Sequence, residues 1–295
     1  MAAVTSAMVK ELRERTSAGM MDCKKALVET NGDVEKAIDF LREKGLAKAA
    51  KKEGRIAAEG LVADYREGNV AALVEVNCET DFVAKTDRFK DFVKMIAKQV
   101  VEANPADLEA LMASEINGES VQALQTAAVA EIGEKITIRR FVRMEGAVDT
   151  YIHLGGSRGV LVQFAEECDR EAMHDVALQI AAASPVCVDV ASLPQEFIDH
   201  ERAVQLAAAK EENANAAKPK PDAIIEKMVD GRMQKYYKEV CLEEQQFVKN
   251  PDITIKEMLR QKNASKVLAF VRFEKGEGIE KRKDNFAEEI ANMTK

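Results

Sequence analysis

Apolar residues recur at helical spacing through the first 45 positions of the chain. Met8, Val9 and Leu12 share one face, behind Thr5 or Ser6 as a cap. Ser17-Ala18-Gly19 interrupts the run, and a second helix carries Met21, Ala26 and Leu27. Asn31-Gly32 turns the chain. Asp33 can then cap a third helix with Val34, Ala37, Ile38 and Leu41 on its apolar face, and Gly45 is placed to end it. Three such helices make a minimal bundle, marginal in isolation. Lys48 to Arg55, mostly charged, reads as a linker that is helical at its start.

Beyond the linker the pattern repeats. Glu59-Gly60-x-Val62-x-x-Tyr65 returns as Glu145-Gly146-x-Val148-x-x-Tyr151, and Gly68 followed by Leu73-Val74 returns as Gly156 followed by Leu161-Val162. The slightly longer spacing in the second copy falls where a hairpin loop absorbs insertions. Asp87-Arg88 returns as Asp169-Arg170, each opening a helical run. Phe141-Val142-Arg143-Met144-Glu145 returns as Phe270-Val271-Arg272-Phe273-Glu274. Each copy reads as a hairpin, a helical segment and a returning strand, which predicts an α+β fold with antiparallel sheets and helices on one face.

The copies differ in two places. Between second strand and helix the first copy runs from Asn77 through Thr86, the second only from Ala165 through Cys168. The extra residues of the first copy are therefore candidates for function. The second copy instead carries a long insertion that reads as a helical hairpin. Ser192 can cap it and Pro194 suits its first turn. Phe197, Val204 and Ala208 form a stripe, Lys218 to Pro221 is the tip, Asp222 caps the return helix, and Ile225, Met228, Met233 and Tyr236 form its inner face. A short helix with Phe286, Ile290 and Met293 closes the chain. The organisation expected is a helical bundle with linker over 1–55, a first α+β subdomain over 56–144, a second over 145–191 and 239–279, an inserted hairpin over 192–238, and a C-terminal module over 280–295.

Composition narrows the function. Apolar residues make up 46% of the 295 and charged residues 32%, which suits a packed core under a solvated surface. The net charge of −8 gives no counterion-release gain on a polyanion, so nucleic acid and membrane surfaces are disfavoured partners. Cys23, Cys78, Cys168, Cys187 and Cys241 are scattered and form no C-x-x-C pair, which reads as a reducing cytoplasm without disulfides or zinc. The least polar long stretch, Ala177 to Leu193, is broken by Gln179, Ser184, Pro185 and Asp189 and cannot span a bilayer. The N-terminus lacks the apolar run of a signal peptide.

The chemistry of catalysis is missing from the sequence. There is no G-x-x-x-x-G-K-[ST], so no direct nucleotide binding is expected. Leu154 to Gly159 is Gly-rich but reads as a hairpin loop. His153, His174 and His200 fall in different elements, and Cys78 has no supporting nucleophile motif. Neither a cofactor nor a metal site is expected, and the chain reads as a non-enzyme. Two segments stand out instead. Thr80-Asp81-Phe82-Val83 lies in the stretch the second copy lacks: it either caps a short helix and tucks Phe82 into the core, or presents Phe82 as a rigid wedge beside an acid. Gly19-Met20-Met21 is either core filler or an adaptable exposed contact.

Glu11-Leu-Arg-Glu-Arg-Thr16, Gly19-Met-Met-Asp-Cys-Lys-Lys-Ala-Leu27, Asn31-Gly-Asp33, Val76-Asn-Cys-Glu-Thr-Asp-Phe-Val-Ala-Lys85 and Phe273-x-x-Gly-x-Gly-Ile-Glu280 together resemble bacterial elongation factor Ts, in order along essentially the whole chain. The resemblance implies a ubiquitin-associated-like N-terminal bundle, a duplicated α+β core, a protruding coiled coil and a C-terminal module. It implies a guanine nucleotide exchange factor that binds elongation factor Tu carrying GDP and speeds GDP release. Thr80, Asp81, Phe82 and Val83 match the segment that dislodges the partner's magnesium ion. Arg13, Met20 and Met21 match an N-terminal contact surface, and the hairpin around His153 would face another partner domain. Leu154 to Arg158 depart from the family's pattern, so no contact is carried onto them. Whether two copies pair within a heterotetramer stays open.

Two other readings compete. A protein-interaction module without exchange activity would use the bundle alone. A nucleic-acid-binding protein would use Lys48, Lys51, Lys52 and Arg55, or Lys218 and Lys220, against the surrounding acidity.

Overall fold

The computed structural model describes residues 4–16, 18–216 and 218–280. Ser17 of the first interruption lies outside them, as does the C-terminal module beyond Glu280 with its expected helix at Phe286, Ile290 and Met293.

The fold is α+β with antiparallel sheets. Helices α1 (Ser6–Thr16), α2 (Met20–Glu29) and α3 (Val34–Ala50) open the chain. Thr5 Oγ1 accepts from Met8 N at 3.3 Å and Asp33 Oδ1 from Lys36 N at 3.1 Å, filling donors that helix starts leave open. Leu12, Cys23, Ala26, Leu27 and Ala37 are buried between the three helices. The sequence groups Met21 with Ala26 and Leu27, but Met21 lies on the solvent side of α2, because Cys23 supplies the inward position of that turn.

Strands β1 (Glu59–Glu67) and β2 (Val70–Cys78) form a hairpin. Helices α4 (Asp81–Ala84), α5 (Asp87–Ala103) and α6 (Leu108–Ala113) follow, then a short ribbon of β3 (Glu115–Ile116) and β4 (Glu119–Ser120), then α7 (Val121–Ile132). Strand β5 (Ile136–Glu145) returns beside β2, giving the order β1-β2-β5. Next come β6 (Ala147–His153), β7 (Arg158–Phe164) and α8 (Arg170–Ala183). The long helices α9 (Gln195–Ala214) and α10 (Asp222–Val240) lead to a ribbon of β8 (Gln246–Phe247) and β9 (Asn250–Thr254), then α11 (Ile255–Gln261). Strand β10 (Val267–Glu274) pairs with β7 in the order β10-β7-β6. In both sheets the second hairpin strand is central and the returning strand flanks it.

The layers follow from burial. Helix α5 buries Phe89, Val93, Ile96 and Val100, at 4-3-4 spacing, in one core with Val74, Val76 and Ile138. Helix α8 buries Met173, Val176, Ala177 and Ile180 with Val160, Val162 and Phe164. The remaining faces of the sheets meet through Val62, Leu73, Val148, Leu161 and Phe273. Strands β2 and β7 are thus covered on both sides, which accounts for their nearly continuous apolar runs. Gly159 lets the sheets approach: a Cβ there would fall 2.5 Å from Val62 Cγ1. The buried Glu75 carboxylate accepts from Arg139 at 2.9 Å, Arg140 at 2.6 Å and Gly276 N at 2.8 Å. The turn after β10, assigned from sequence to the second subdomain, is hooked in this way onto the first sheet.

Three further expectations need correction. Gly45 does not end α3, which continues to Ala50 and packs on α7. A Cβ at Gly45 would lie 3.5 Å from that of Ala130, so this glycine is a contact point, and the alanines after it sustain the helix. The insertion is an antiparallel pair, with Ile198 beside Tyr236 and Tyr237 and the Asn213 side chain bonded to Lys220 O at 3.0 Å and Lys220 N at 2.6 Å. Its packed face is Ile198, Leu206 and Ala209 against Ile225, Val229, Met233 and Tyr236. The expected stripe of Phe197 and Val204 faces solvent, and Val229 takes the place given to Met228. The caps shift as well. Ser192 closes a tight turn with Asp189 while α9 starts after Pro194, and Asp222 is the first residue of α10 with its charge at the helix start. Helix α10 also runs to Val240, past the boundary drawn at 238.

Candidate functional site

Cys78 ends β2 and Thr86 caps α5, so the chain between them must leave the sheet and re-enter the helix layer. It does so through the single turn α4. Thr80 is its cap: the hydroxyl oxygen accepts from Val83 N at 3.3 Å. Ala84 is buried and Val83 packs against the same core as α5. With positions 83 and 84 turned inward, Phe82 is turned outward and is 78% exposed. Asp81 beside it is half-exposed, and Lys85 Nζ donates to its carboxylate at 2.5 Å. That bond holds the Asp81 carboxyl below the usual carboxylate range, so the acid is ionised at neutral pH. The same Lys85 ammonium lies 5.9 Å from the centre of the Phe82 ring.

The root of the turn is fixed by a neighbouring loop. Glu134, between α7 and β5, accepts from Thr80 Oγ1 at 2.7 Å, Thr80 N at 3.0 Å and Glu79 N at 3.1 Å. In return Glu79 accepts from Lys135 N at 2.6 Å, and Arg55 reaches its two oxygens at 3.3 and 3.2 Å. Sequence reasoning passed over Glu134 because its partner Thr80 is 54 positions away and neither residue belongs to a motif linking them. Burial pushes the Cys78 thiol up to about 12, with the Glu134 charge adding to it, so Cys78 is no nucleophile at neutral pH. Among the described residues no group of three or more His, Cys, Asp or Glu comes together to hold a metal. No helix among them is long and apolar enough to cross a membrane.

The other sequence candidates sit on separate elements. Met20 and Met21 occupy the first turn of α2, exposed, and Arg13 is exposed near the end of α1. His153 ends β6, with Tyr151 Oη 3.0 Å from its Nδ1. Beyond it the loop tip places Leu154 in solvent, and Gly156 O accepts from Val62 N at 2.8 Å, pinning the loop against β1. The structure gathers Thr80 to Val83 into one turn and leaves Arg13, Met20, Met21 and His153 on other elements.

The family model for elongation factor TS matches residues 79–277, which is most of the chain and includes the whole of this turn. The chain belongs to the elongation factor Ts family. That family implies nucleotide exchange in translation elongation, with elongation factor Tu as partner. The matched span begins at Glu79, the residue that opens the exposed turn. Arg13, Met20 and Met21 precede it.

Proposed function

We propose that the chain releases GDP from elongation factor Tu by presenting the Thr80–Val83 turn to the partner's GTPase domain near its magnesium site. One observation carries this reading: Phe82 is held in solvent on a turn that is anchored on both sides, capped by Thr80 and packed through Val83 and Ala84. An aromatic fixed in the free chain binds without the entropy cost of ordering it. Magnesium holds nucleotide phosphates by charge, so a wedge with an ionised acid beside it weakens that hold. Binding energy from other contacts offsets the distortion. Arg13, Met20 and Met21 on the N-terminal helices and His153 at the end of β6 are the residues proposed to supply it. The chain carries out no covalent step, binds no nucleotide and works in the cytoplasm; pairing of two copies within a heterotetramer is compatible with this mechanism but not required by it.

Coupling between the two ligands is reciprocal: if this chain weakens GDP binding, GDP weakens binding of this chain by the same factor. The test is release of fluorescent GDP from elongation factor Tu on mixing with the purified chain. Acceleration that saturates with chain concentration is expected. Tight binding to elongation factor Tu without acceleration would leave an interaction module and overturn the proposal.

A further inference from the structure

The geometry points to Glu134 as a positioning residue for exchange, a carboxylate that never meets the partner but sets the attitude of the wedge. This rests on the function proposed above. Its oxygens collect three donors from the root of the turn, two backbone N–H groups and the Thr80 hydroxyl, at 3.1, 3.0 and 2.7 Å. Hydrogen bonds to an ionised acceptor are the strong ones, and three on one carboxylate fix both the position and the rotation of the segment. The clamp is reciprocal, because Glu79 takes Lys135 N, so the two loops close on each other through both side chains.

The bonds fall at a sensitive place. Thr80 is the cap of α4, and its hydroxyl serves two bonds at once, accepting from Val83 N and donating to Glu134. Fixing that hydroxyl fixes the first turn of α4, and with it the direction of Phe82 two residues on. Glu134 itself is half-buried, while Phe82's ring is exposed. Its own placement is secured by the end of α7, where Gly133 adopts φ 86°, a left-handed conformation that suits glycine and aims the next residue back at β2.

A rigid wedge and a loose one bind through the same atoms, but the loose one must be ordered while the partner is being distorted. Losing the clamp therefore lowers the maximal rate of GDP release more than it weakens association, which the other surfaces support. Two variants separate position from mere presence. Glu134→Ala removes all three bonds. Glu134→Gln keeps one carbonyl oxygen for the two N–H donors, and its amide can donate to the Thr80 hydroxyl, but without the charge, so it should rescue in part.

The experiment has two arms on the same proteins. In the free chain, amide hydrogen exchange over residues 79–85 should be at least about tenfold faster in Glu134→Ala, since each bond to a charged group is worth roughly that factor or more. It should fall between wild type and Glu134→Ala in Glu134→Gln, with protection of β2 and α5 unchanged in both. With elongation factor Tu, the maximal rate of GDP release should fall about tenfold in Glu134→Ala while the half-saturating concentration moves less than about twofold, with Glu134→Gln between the two. Unchanged protection at 79–85 in Glu134→Ala would overturn the clamp. A loosened turn with a normal maximal rate, or a rise in half-saturation alone, would overturn its role in exchange. Phe82→Ala run alongside separates the failures: if neither wild type nor Phe82→Ala affects GDP release, the proposed function is wrong, and the hydrogen-exchange arm still decides the clamp.

Discussion

An aromatic ring left 78% exposed by folding contributes little to the stability of its own chain. Phe82→Ala should therefore shift the unfolding free energy by less than about 1 kcal/mol, where a core phenylalanine would cost about 3–5 kcal/mol. Thermal melting checks this, and a loss near the core figure would contradict it. Buried thiols give a residue-scale pH dependence. The folded-state value of Cys78, about 12, lies above the ordinary 9.0, so the folded chain keeps its proton where the unfolded chain loses it. Stability from this source is complete below pH about 9 and declines as pH rises toward the folded value. The melting temperature should fall from pH 9 to 11, and fall less in Cys78→Ala; identical pH profiles would contradict the assignment. At this scale the sequence was informative where a residue acts on near neighbours. Thr80 as a cap and Phe82 as a residue with two competing readings were both legible in Thr-Asp-Phe-Val. Burial chose between those readings, and the choice depended on Val83 and Ala84 filling the inward positions.

Elements expose the limits of periodicity more clearly. Helix α9 has apolar residues on two faces, and only the row 225-229-233-236 on α10 selects Ile198, Leu206 and Ala209 as the packed one. No pattern within α9 alone contains that choice. Gly45 shows the same limit, since a helix-ending glycine and a close-contact glycine look alike in sequence until Ala130 is brought beside it. An added methyl there meets only ordinary van der Waals contacts at 3.5 and 3.9 Å. Gly45→Ala should thus stabilise by up to about 1 kcal/mol through the unfolded chain's entropy, and Gly45→Leu should destabilise by forcing α3 from α7. Calorimetric melting of both variants gives the comparison, and a lower melting temperature for Gly45→Ala would contradict it. The α9–α10 pair offers an element-scale deletion. Ile198, Tyr236 and Tyr237 cover Cys187, Leu193 and Cys241 at its base. Replacing residues 200–235 with a short Gly/Ser loop should leave cooperative unfolding and most of the exchange activity. Removing 195–237 should cost stability by uncovering that base. Loss of folding in the shorter deletion would make the pair part of the core.

For the whole molecule, the two three-stranded sheets pack face to face between helical layers, and the turn after β10 is hooked to Glu75 in the first sheet. The repeated motifs made the sheets legible. Their mutual packing was not: Gly159 reads as part of a Gly-rich loop but lies in β7, where it and Glu75 act across the two copies. An anchored body with an outward turn suits the proposed role of presenting Phe82 to a partner. Calorimetry should accordingly detect no GDP or GTP binding to the isolated chain at micromolar concentrations; stoichiometric binding would contradict that. The proposed mechanism has Phe82 act on the partner and not on its own fold. It is tested most directly by stopped-flow release of fluorescent GDP from elongation factor Tu, with wild-type and Phe82→Ala chains whose melting temperatures are measured on the same samples. Near-equal melting is expected, with release slowed at least about tenfold, as when a buried hot-spot aromatic worth ~2 kcal/mol or more is truncated. A large drop in melting temperature with undiminished release, measured where the variant is still folded, would contradict it.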